Sequence, residues 1–517
     1  MRSAPVVIVG AGIGGLVSAL LLAARGMAVT LVERSAGPGG KARQMPVDGH
    51  MIDAGPTVFT MREVFDEIFA AAGMATGEHL TLRRAELLAR HAWGPDERLD
   101  LFADFERSCD AIGDFAGAEA ARGFRSFSAE AARIYGILDE SFLRASKCLP
   151  PTLMWRIGLW RIGALLAIRP YESLWKVLRE HFSDPRLVQL FGRYTTYCGS
   201  SPFRAPATLM LIAHSEARGV WAIDGGMSAL AAALERAART RGALVRYNSG
   251  VARIERSGGR ASAVVLDSGE CIDAAAVIFN GDPAALASGL LGGEVRRGAR
   301  TVPAGARSLS AMVWLATARP GGFDLAHHNV FFSSDYPAEF AALAAGRMPD
   351  QPSAYVCALD RGSGATPQGP ERLQIIVNAP PDGDRHHYSD EEKARCTATM
   401  QSTLNRCGLT LAQPFVHRLL TPQDFARDFP ATGGALYGRA SHGWAASFLR
   451  PGSRTAIPGL YCAGGATHPG AGVPMAALSG QLATAALLAD LGLTNRSPRR
   501  AIAGGMSTPS ATTEATV

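Results

Sequence analysis

Residues 6–43 read VVIVGAGIGGLVSALLLAARGMAVTLVERSAGPGGKAR. Val6 to Val9 predict an apolar strand, and Gly10, Gly12 and Gly15 give G-x-G-x-x-G directly after it. Such a turn lets backbone approach a pyrophosphate closely and aims the N-terminus of the following helix at it. Ala19, Leu22 and Gly26 continue that helix, Val29, Leu31 and Val32 supply a second short strand, and Glu33 closes the unit 23 residues after Gly10. A carboxylate there accepts hydrogen bonds from ribose hydroxyls and repels a 2′-phosphate, which disfavours NADP. Glycine turns also occur where a strand only needs a tight exit, so the acid at the right distance decides for a dinucleotide. N–H groups at Gly12, Ile13, Gly14 and Gly15 are expected to hold its phosphates, with Glu33 and Arg34 at the adenosine end.

Outward from this unit, 517 residues are too many for one compact core and suggest roughly two to four domains. The net charge of +6 suits an anionic surface, yet no lysine- or arginine-rich run resembles a nucleic-acid footprint, so nucleic acid is excluded and a phospholipid headgroup preferred. Cys109, Cys148, Cys198, Cys271, Cys357, Cys396, Cys407 and Cys462 are scattered without C-x-x-C spacing or a partnered histidine cluster. That pattern predicts reduced thiols in a cytoplasmic protein and no metal site. The apolar N-terminal stretch contains the fingerprint itself, which argues against a cleaved signal. No uninterrupted apolar run reaches the roughly 18 residues of a spanning helix, so membrane contact is expected to be peripheral, on the inner membrane.

Along the chain, residues 60–215 look mostly helical, broken at Pro150-Pro151, Pro170, Pro185 and Pro202. Asp224-Gly225-Gly226-Met227 opens another helix, followed by strand-like pieces at Leu244 to Tyr247, Gly250 to Arg256 and Ala261 to Leu266. Ala276 to Phe279 ends in Asn280-Gly281-Asp282-Pro283, a turn expected to return the chain to the edge of the nucleotide sheet. Strand-like runs such as Leu373 to Val377 supply a second sheet to roof a substrate, and Val473 to Leu488 predicts a final helix. The expectation is an α/β fold whose dinucleotide domain is discontinuous (1–80, 215–295 and 455–492). A helical insert (81–214), a substrate-binding region (296–454) and a disordered tail (493–517) complete it.

The fingerprint with Glu33, Gly39-Gly40-Lys41-Ala42-Arg43, Asp53-Ala54-Gly55-Pro56-Thr57 and the closing run Gly464 to Pro474 (GGATHPGAGVP) resembles the bacterial carotenoid desaturases. Those are FAD enzymes of Rossmann-like, amine oxidase superfamily fold. Within them the stretches Asp53 to Met61, Gly199 to Phe203 and Ala205 to Met210 are most similar to the hydroxyneurosporene (methoxyneurosporene) desaturases, the 1-hydroxycarotenoid 3,4-desaturases. Phytoene desaturases usually carry glycine after the closing proline, where this chain has Met475.

The resemblance implies FAD and a carotenoid substrate. It adds Gly40, Lys41, Arg43, Pro56, Thr57, Gly465, Val473, Pro474 and Met475 to the cofactor site, with Val251 at the adenine. Lys41 and Arg43 would offset phosphate charge, unless they belong to a solvated basic loop. A helix start at Val473-Pro474 would stabilise charge on a reduced flavin. A conjugated polyene has no acidic proton, so the implied chemistry is hydride loss to flavin and proton loss from the neighbouring carbon. No catalytic residue is identified: His442, His468 and Tyr197 are the nearest polar groups, and the histidines read better as caps or core. The implied acceptor of electrons is a membrane quinone or oxygen. Trp155, Trp160 and Trp175 among seven basic residues in Ser141 to Glu180 predict a membrane-docking segment. A phytoene desaturase, a redox-neutral carotene isomerase, a non-catalytic pigment carrier and an amine oxidase remain as alternatives.

Overall fold

A computed structural model describes residues 4–158, 160–362, 367–412 and 415–493. The tail expected to be disordered therefore lies, apart from Leu493, outside the described residues.

Val6–Val9 forms β1, Ile13–Ala23 α1 and Val29–Val32 β2. Leu244–Arg246 (β3), Ala276–Phe279 (β4) and Leu460–Cys462 (β5) join them in a five-stranded parallel sheet of order β5-β4-β1-β2-β3. Both faces of this sheet are covered, which is why β1, β2 and β4 are continuous apolar runs. Alternation along β1 sends Val6 and Ile8 toward the helices and Val7 and Val9 toward a three-stranded antiparallel layer (Val251–Ser257, Arg260–Leu266, Cys271–Asp273).

Every residue of α1 is buried, as suits a helix with no charged residue, between Met227–Thr240 (α2) and Val473–Asp490 (α3). A Cβ on Gly480 would lie 2.4 Å from the Gly14 carbonyl, so this glycine sets how closely α3 crosses α1. Ser18 Oγ seals the crossing by donating to the Gly14 and Gly480 carbonyls, at 2.9 and 3.1 Å.

The expected turn to the sheet edge is corrected by the pairing: β4 lies inside the sheet between β1 and β5, and β5 is the edge. The strand order reverses at β1, which leads to β2 on one side and pairs with β4 on the other, so a crevice opens above the carboxyl ends of these strands.

The second sheet has seven strands, in the order Val416–Leu420, Ser310–Ala318, Glu371–Ala379, Ala354–Ala358, His328–Phe331, Leu87–Ala92 and Arg98–Phe102. Leu373, Ile375 and Val377 pack with Met400 and Leu404 of the helix Asp390–Arg406, while the alternate Gln374, Ile376 and Asn378 face the cavity described below. The last two strands correct the expected helical insert, whose first part is sheet. Helices occupy the span only from Phe105–Ala116 onward. Among the described residues one helix, α3, is long and apolar enough to cross a membrane, and most of it is buried in the protein. All eight cysteines are free.

Candidate active site

The fingerprint glycines answer to different neighbours. A Cβ on Gly15 would lie 2.2 Å from the Gly10 carbonyl, and one on Gly12 would lie 2.8 Å from Asn280 Nδ2. One on Gly14 would fall 2.7 Å from Asn280 Oδ1 and 2.9 Å from the Gly464 nitrogen. Asn280, at the end of β4, therefore stands beneath the turn, donating from Nδ2 to the Gly10 carbonyl at 3.2 Å. Leu16 N–H makes the first bond back to Gly12, which leaves the N–H groups of Ile13, Gly14 and Gly15 without an intrahelical acceptor.

Glu33 is buried at the end of β2; its Oε2 accepts from Ala11 N–H at 2.7 Å and its Oε1 from Ser35 N–H at 2.8 Å. Arg34, Gly250 and Val251 line the cavity beside it.

The loop after β2 docks on the same turn. Gly39 N–H donates to the Ala11 carbonyl at 2.8 Å, and Gly40, at φ +60°, brings its backbone against Gly12. Lys41 runs the other way, donating to the Leu436 carbonyl with its ammonium 5.0 Å from the Phe429 ring. Burial lowers its pKa and the Asp282 carboxylate counteracts this. Arg43 pairs with Asp428 and stacks on the same ring at 5.4 Å. Both cations thus line the cavity while engaged by residues 428–436.

Across the cavity, the closing run crosses the mouth of the crevice. Gly464 N–H donates to Ser479 Oγ at 2.7 Å, and Gly472, at φ +109°, starts α3 with Pro474 in its first turn. Ala476 N–H makes the first helical bond, so Val473 and Met475 present N–H groups without intrahelical partners. Arg450 is buried beside this loop, donating to the carbonyls of Tyr437 and Arg439 at 2.8 and 2.7 Å. Pro56, Thr57, Gly465, Val473, Pro474 and Met475 line one continuous cavity with Glu33 and Val251.

That cavity measures about 820 Å3 and continues from the glycine turns into a chamber walled by Leu138, Phe142, Val313, Val330 and Ile376. Its polar content is concentrated. Arg193, Tyr194, Tyr197 and Glu216 form a buried group in which Tyr194 and Tyr197 donate to the two Glu216 oxygens at 2.6 and 2.7 Å, and Arg193 Nη1 donates to the Tyr197 hydroxyl at 3.1 Å. On another wall Tyr355 donates to Thr57 Oγ1 at 2.8 Å, and His328 Nδ1 lies 2.7 Å from the Tyr355 hydroxyl. Behind it His327, His328 and Cys357 bring ligand-type atoms within 4.8 Å of one another.

His442 accepts from Ser201 N–H at 2.9 Å, and His468 Nε2 lies within 3.1 Å of the Phe142 and Ala145 carbonyls. Burial pulls both imidazoles down to about 4, so both are neutral structural groups at pH 7.

Sequence reasoning missed Asn280, Arg450, Arg193 and Glu216. Only Asn280 carried a signal, a polar residue directly after an apolar strand. The donor set fits a dinucleotide: free first-turn N–H groups stand at phosphate height and a buried carboxylate at ribose height. A second helix N-terminus stands where the cavity turns apolar. Together the fold and this cradle define a dinucleotide-binding protein of the doubly wound α/β class.

Comparison with known proteins extends this. The family described as flavin containing amine oxidoreductase matches residues 13–488, and the chain belongs to it: it is a flavoprotein oxidoreductase, and its cofactor is FAD. It is 52% identical to the hydroxyneurosporene desaturase of Rubrivivax gelatinosus, over 99% of this chain and 98% of that one. It is 47% identical to the enzyme of the same name from Cereibacter sphaeroides, over 95% and 99%. Among solved structures an oxidoreductase from Methanosarcina mazei superposes with a TM-score of 0.58 at 17% identity, over 94% of this chain and all of that one, which shows the shared fold.

Proposed function

We propose that this chain is an FAD-dependent desaturase that introduces the C3–C4 double bond into acyclic 1-hydroxy or 1-methoxy carotenoids such as 1-hydroxyneurosporene. The observation that carries the reading is the single cavity joining a dinucleotide cradle to an apolar chamber, in a chain similar from end to end to hydroxyneurosporene desaturases. FAD held there supplies a two-electron hydride acceptor. In this assignment 1–80, 215–295 and 455–492 hold the cofactor, and 296–454 walls the substrate together with Leu138, Phe142 and Arg193 of the helical insert.

Glu33 would accept from the adenosine ribose, and the N–H groups of Ile13, Gly14 and Gly15 would hold the phosphates. The free N–H groups of Val473 and Met475, at the positive end of α3, would favour negative charge at the flavin edge. The apolar walls Leu138, Phe142, Val313, Val330 and Ile376 would hold the polyene, which loses a hydride from one carbon to the flavin and a proton from its neighbour to solvent. A membrane quinone or oxygen would take the electrons on.

A peripheral position on the cytoplasmic face of the inner membrane suits this reading. Trp155, Trp160, Leu166 and Tyr171 stand 70%, 83%, 72% and 79% exposed, and Trp444 packs 5.8 Å from Tyr171. This patch continues through Phe448 to Phe142, which lines the chamber, giving a lipid-dissolved polyene an apolar path inward.

The test is incubation of the FAD-loaded protein with liposomes holding 1-hydroxyneurosporene, neurosporene or phytoene. A product from the hydroxylated substrate two hydrogens lighter and red-shifted is expected. Consumption of phytoene alone would transfer the assignment to phytoene desaturation.

A further inference from the structure

We infer that Arg193 reads the oxygen on carbon 1 of the substrate's end group, donating to it from Nε and Nη2. This rests on the functional reading above and names the residue behind its selectivity.

Arg193 is only 6% exposed, lines the apolar chamber, and has Nε and Nη2 without a hydrogen-bond partner. An arginine is seldom buried without full pairing, because removing its charge from water costs several kcal/mol. Its charge is balanced through Tyr197, whose hydroxyl bridges Nη1 to Glu216. Glu216 receives the hydroxyls of Tyr194 and Tyr197, one on each oxygen. The buried atoms of the cluster that lack a partner are thus both guanidinium donors.

That chemistry selects the ligand. A tertiary alcohol and a methyl ether share one property, an oxygen that accepts, and an ether cannot donate. Two other buried side chains on the chamber wall keep an unpartnered polar atom, Gln374 and Ser310. Gln374 has committed Nε2 to the Gly55 carbonyl and offers only an acceptor, which an ether cannot use. Ser310 offers one neutral hydroxyl; Arg193 offers two donors strengthened by charge.

A hydrocarbon end at this wall would leave the buried Nε and Nη2 without an acceptor, the situation in which a polar site discriminates most strongly. Arg193 lines the same cavity as Thr57 and Met475 on the flavin side, so an end-group oxygen at Arg193 and the bond to be desaturated lie within one chamber.

The test compares wild type with Arg193→Met, Arg193→Lys and Ser310→Ala, each FAD-loaded, on 1-hydroxyneurosporene, 1-methoxyneurosporene and neurosporene, following carotenoid binding by its spectral shift and turnover by product. Wild type should favour both oxygenated substrates over neurosporene by about 100-fold. Arg193→Met should lose most of that preference, chiefly through weaker binding of the oxygenated pair, with neurosporene little changed. Ser310→Ala should keep it.

An equal loss on all three substrates, or loss of preference in Ser310→Ala instead, overturns the assignment. If Arg193→Met does not fold, Arg193→Lys decides: a preference lowered about tenfold supports the inference and an unchanged one overturns it. Reduction of flavin by oxygenated carotenoids with preference independent of residue 193 sinks this inference alone. No reduction by any carotenoid sinks the functional reading and this inference together.

Discussion

Glu33 ends β2 with both carboxylate oxygens already engaged, one on the fingerprint turn and one on the turn after β2. Its removal frees two buried N–H groups and takes away the ribose acceptor. Glu33→Ala is expected to weaken FAD binding about 10- to 100-fold, read by fluorescence titration of the apoprotein; unchanged affinity would contradict the placement. Gly14 is constrained from three sides, with Asn280, Gly464 and Ala476 each within 2.9 Å of where a Cβ would lie. Gly14→Ala should cost about 1–3 kcal/mol of stability in urea unfolding of the FAD-free protein, an overpacking effect independent of cofactor. Gly26→Ala, with open space around its Cβ position but φ at +75°, should cost less.

At the level of elements, the nucleotide sheet was readable because its central strands are short, largely apolar runs, β1 ending at Gly10, β2 at Glu33 and β4 at Asn280, and because β1, α1 and β2 sit next to one another in sequence. The strands Leu87–Ala92 and Arg98–Phe102 were not readable. Arg90, His91 and Asp100 break their apolar pattern, and their partner, His328–Phe331, lies far along the chain. What makes them strands is the pairing itself, with Arg90 joined to Asp100 at 2.8 Å and His91 buried against the Leu99 carbonyl.

The Arg193 cluster was hidden for the same reason: Glu216 reaches Tyr194 and Tyr197 only once Leu211–Ala217 folds back. In the helical region Trp155 on the helix Pro150–Ile157 and Trp160, just before the helix Ile162–Ala167, stand on a surface that the protein itself does not cover. Replacing Trp155 and Trp160 together by serine should lower co-sedimentation with anionic liposomes about tenfold while FAD content stays unchanged. Binding unaffected by the double substitution would remove membrane docking from this surface.

At the level of the whole molecule, burial has shifted many titrating groups. His91 is pulled down to about 3, His442 and His468 to about 4, and His328 well below its ordinary value, in each case chiefly by burial. Unfolded, these imidazoles take up protons near pH 6.5. Between that pH and about 4 the unfolded chain therefore binds more protons than the native one, so stability is full above pH 6.5 and falls as pH drops. Glu339, raised by burial to about 7, opposes this with one proton held by the native state. His214 and His327 are lowered by burial as well, and Asp53 and Asp382 raised, so six histidines stand against three carboxyls and the net sign is unchanged. The urea midpoint should therefore fall between pH 7 and pH 5.5, and a midpoint that rises would contradict the burial pattern.

The same enclosure joins the two domains through one cavity, since cradle and chamber share their lining at Thr57 and Met475. The most direct measurement is anaerobic mixing of the FAD-loaded protein with liposomes containing 1-hydroxyneurosporene, recording flavin absorbance and carotenoid products together. The account predicts bleaching of the oxidised flavin in step with a red-shifted carotenoid two hydrogens lighter, one per flavin. A flavin that stays oxidised while the carotenoid is bound, or a carotenoid recovered unchanged in mass, would contradict it.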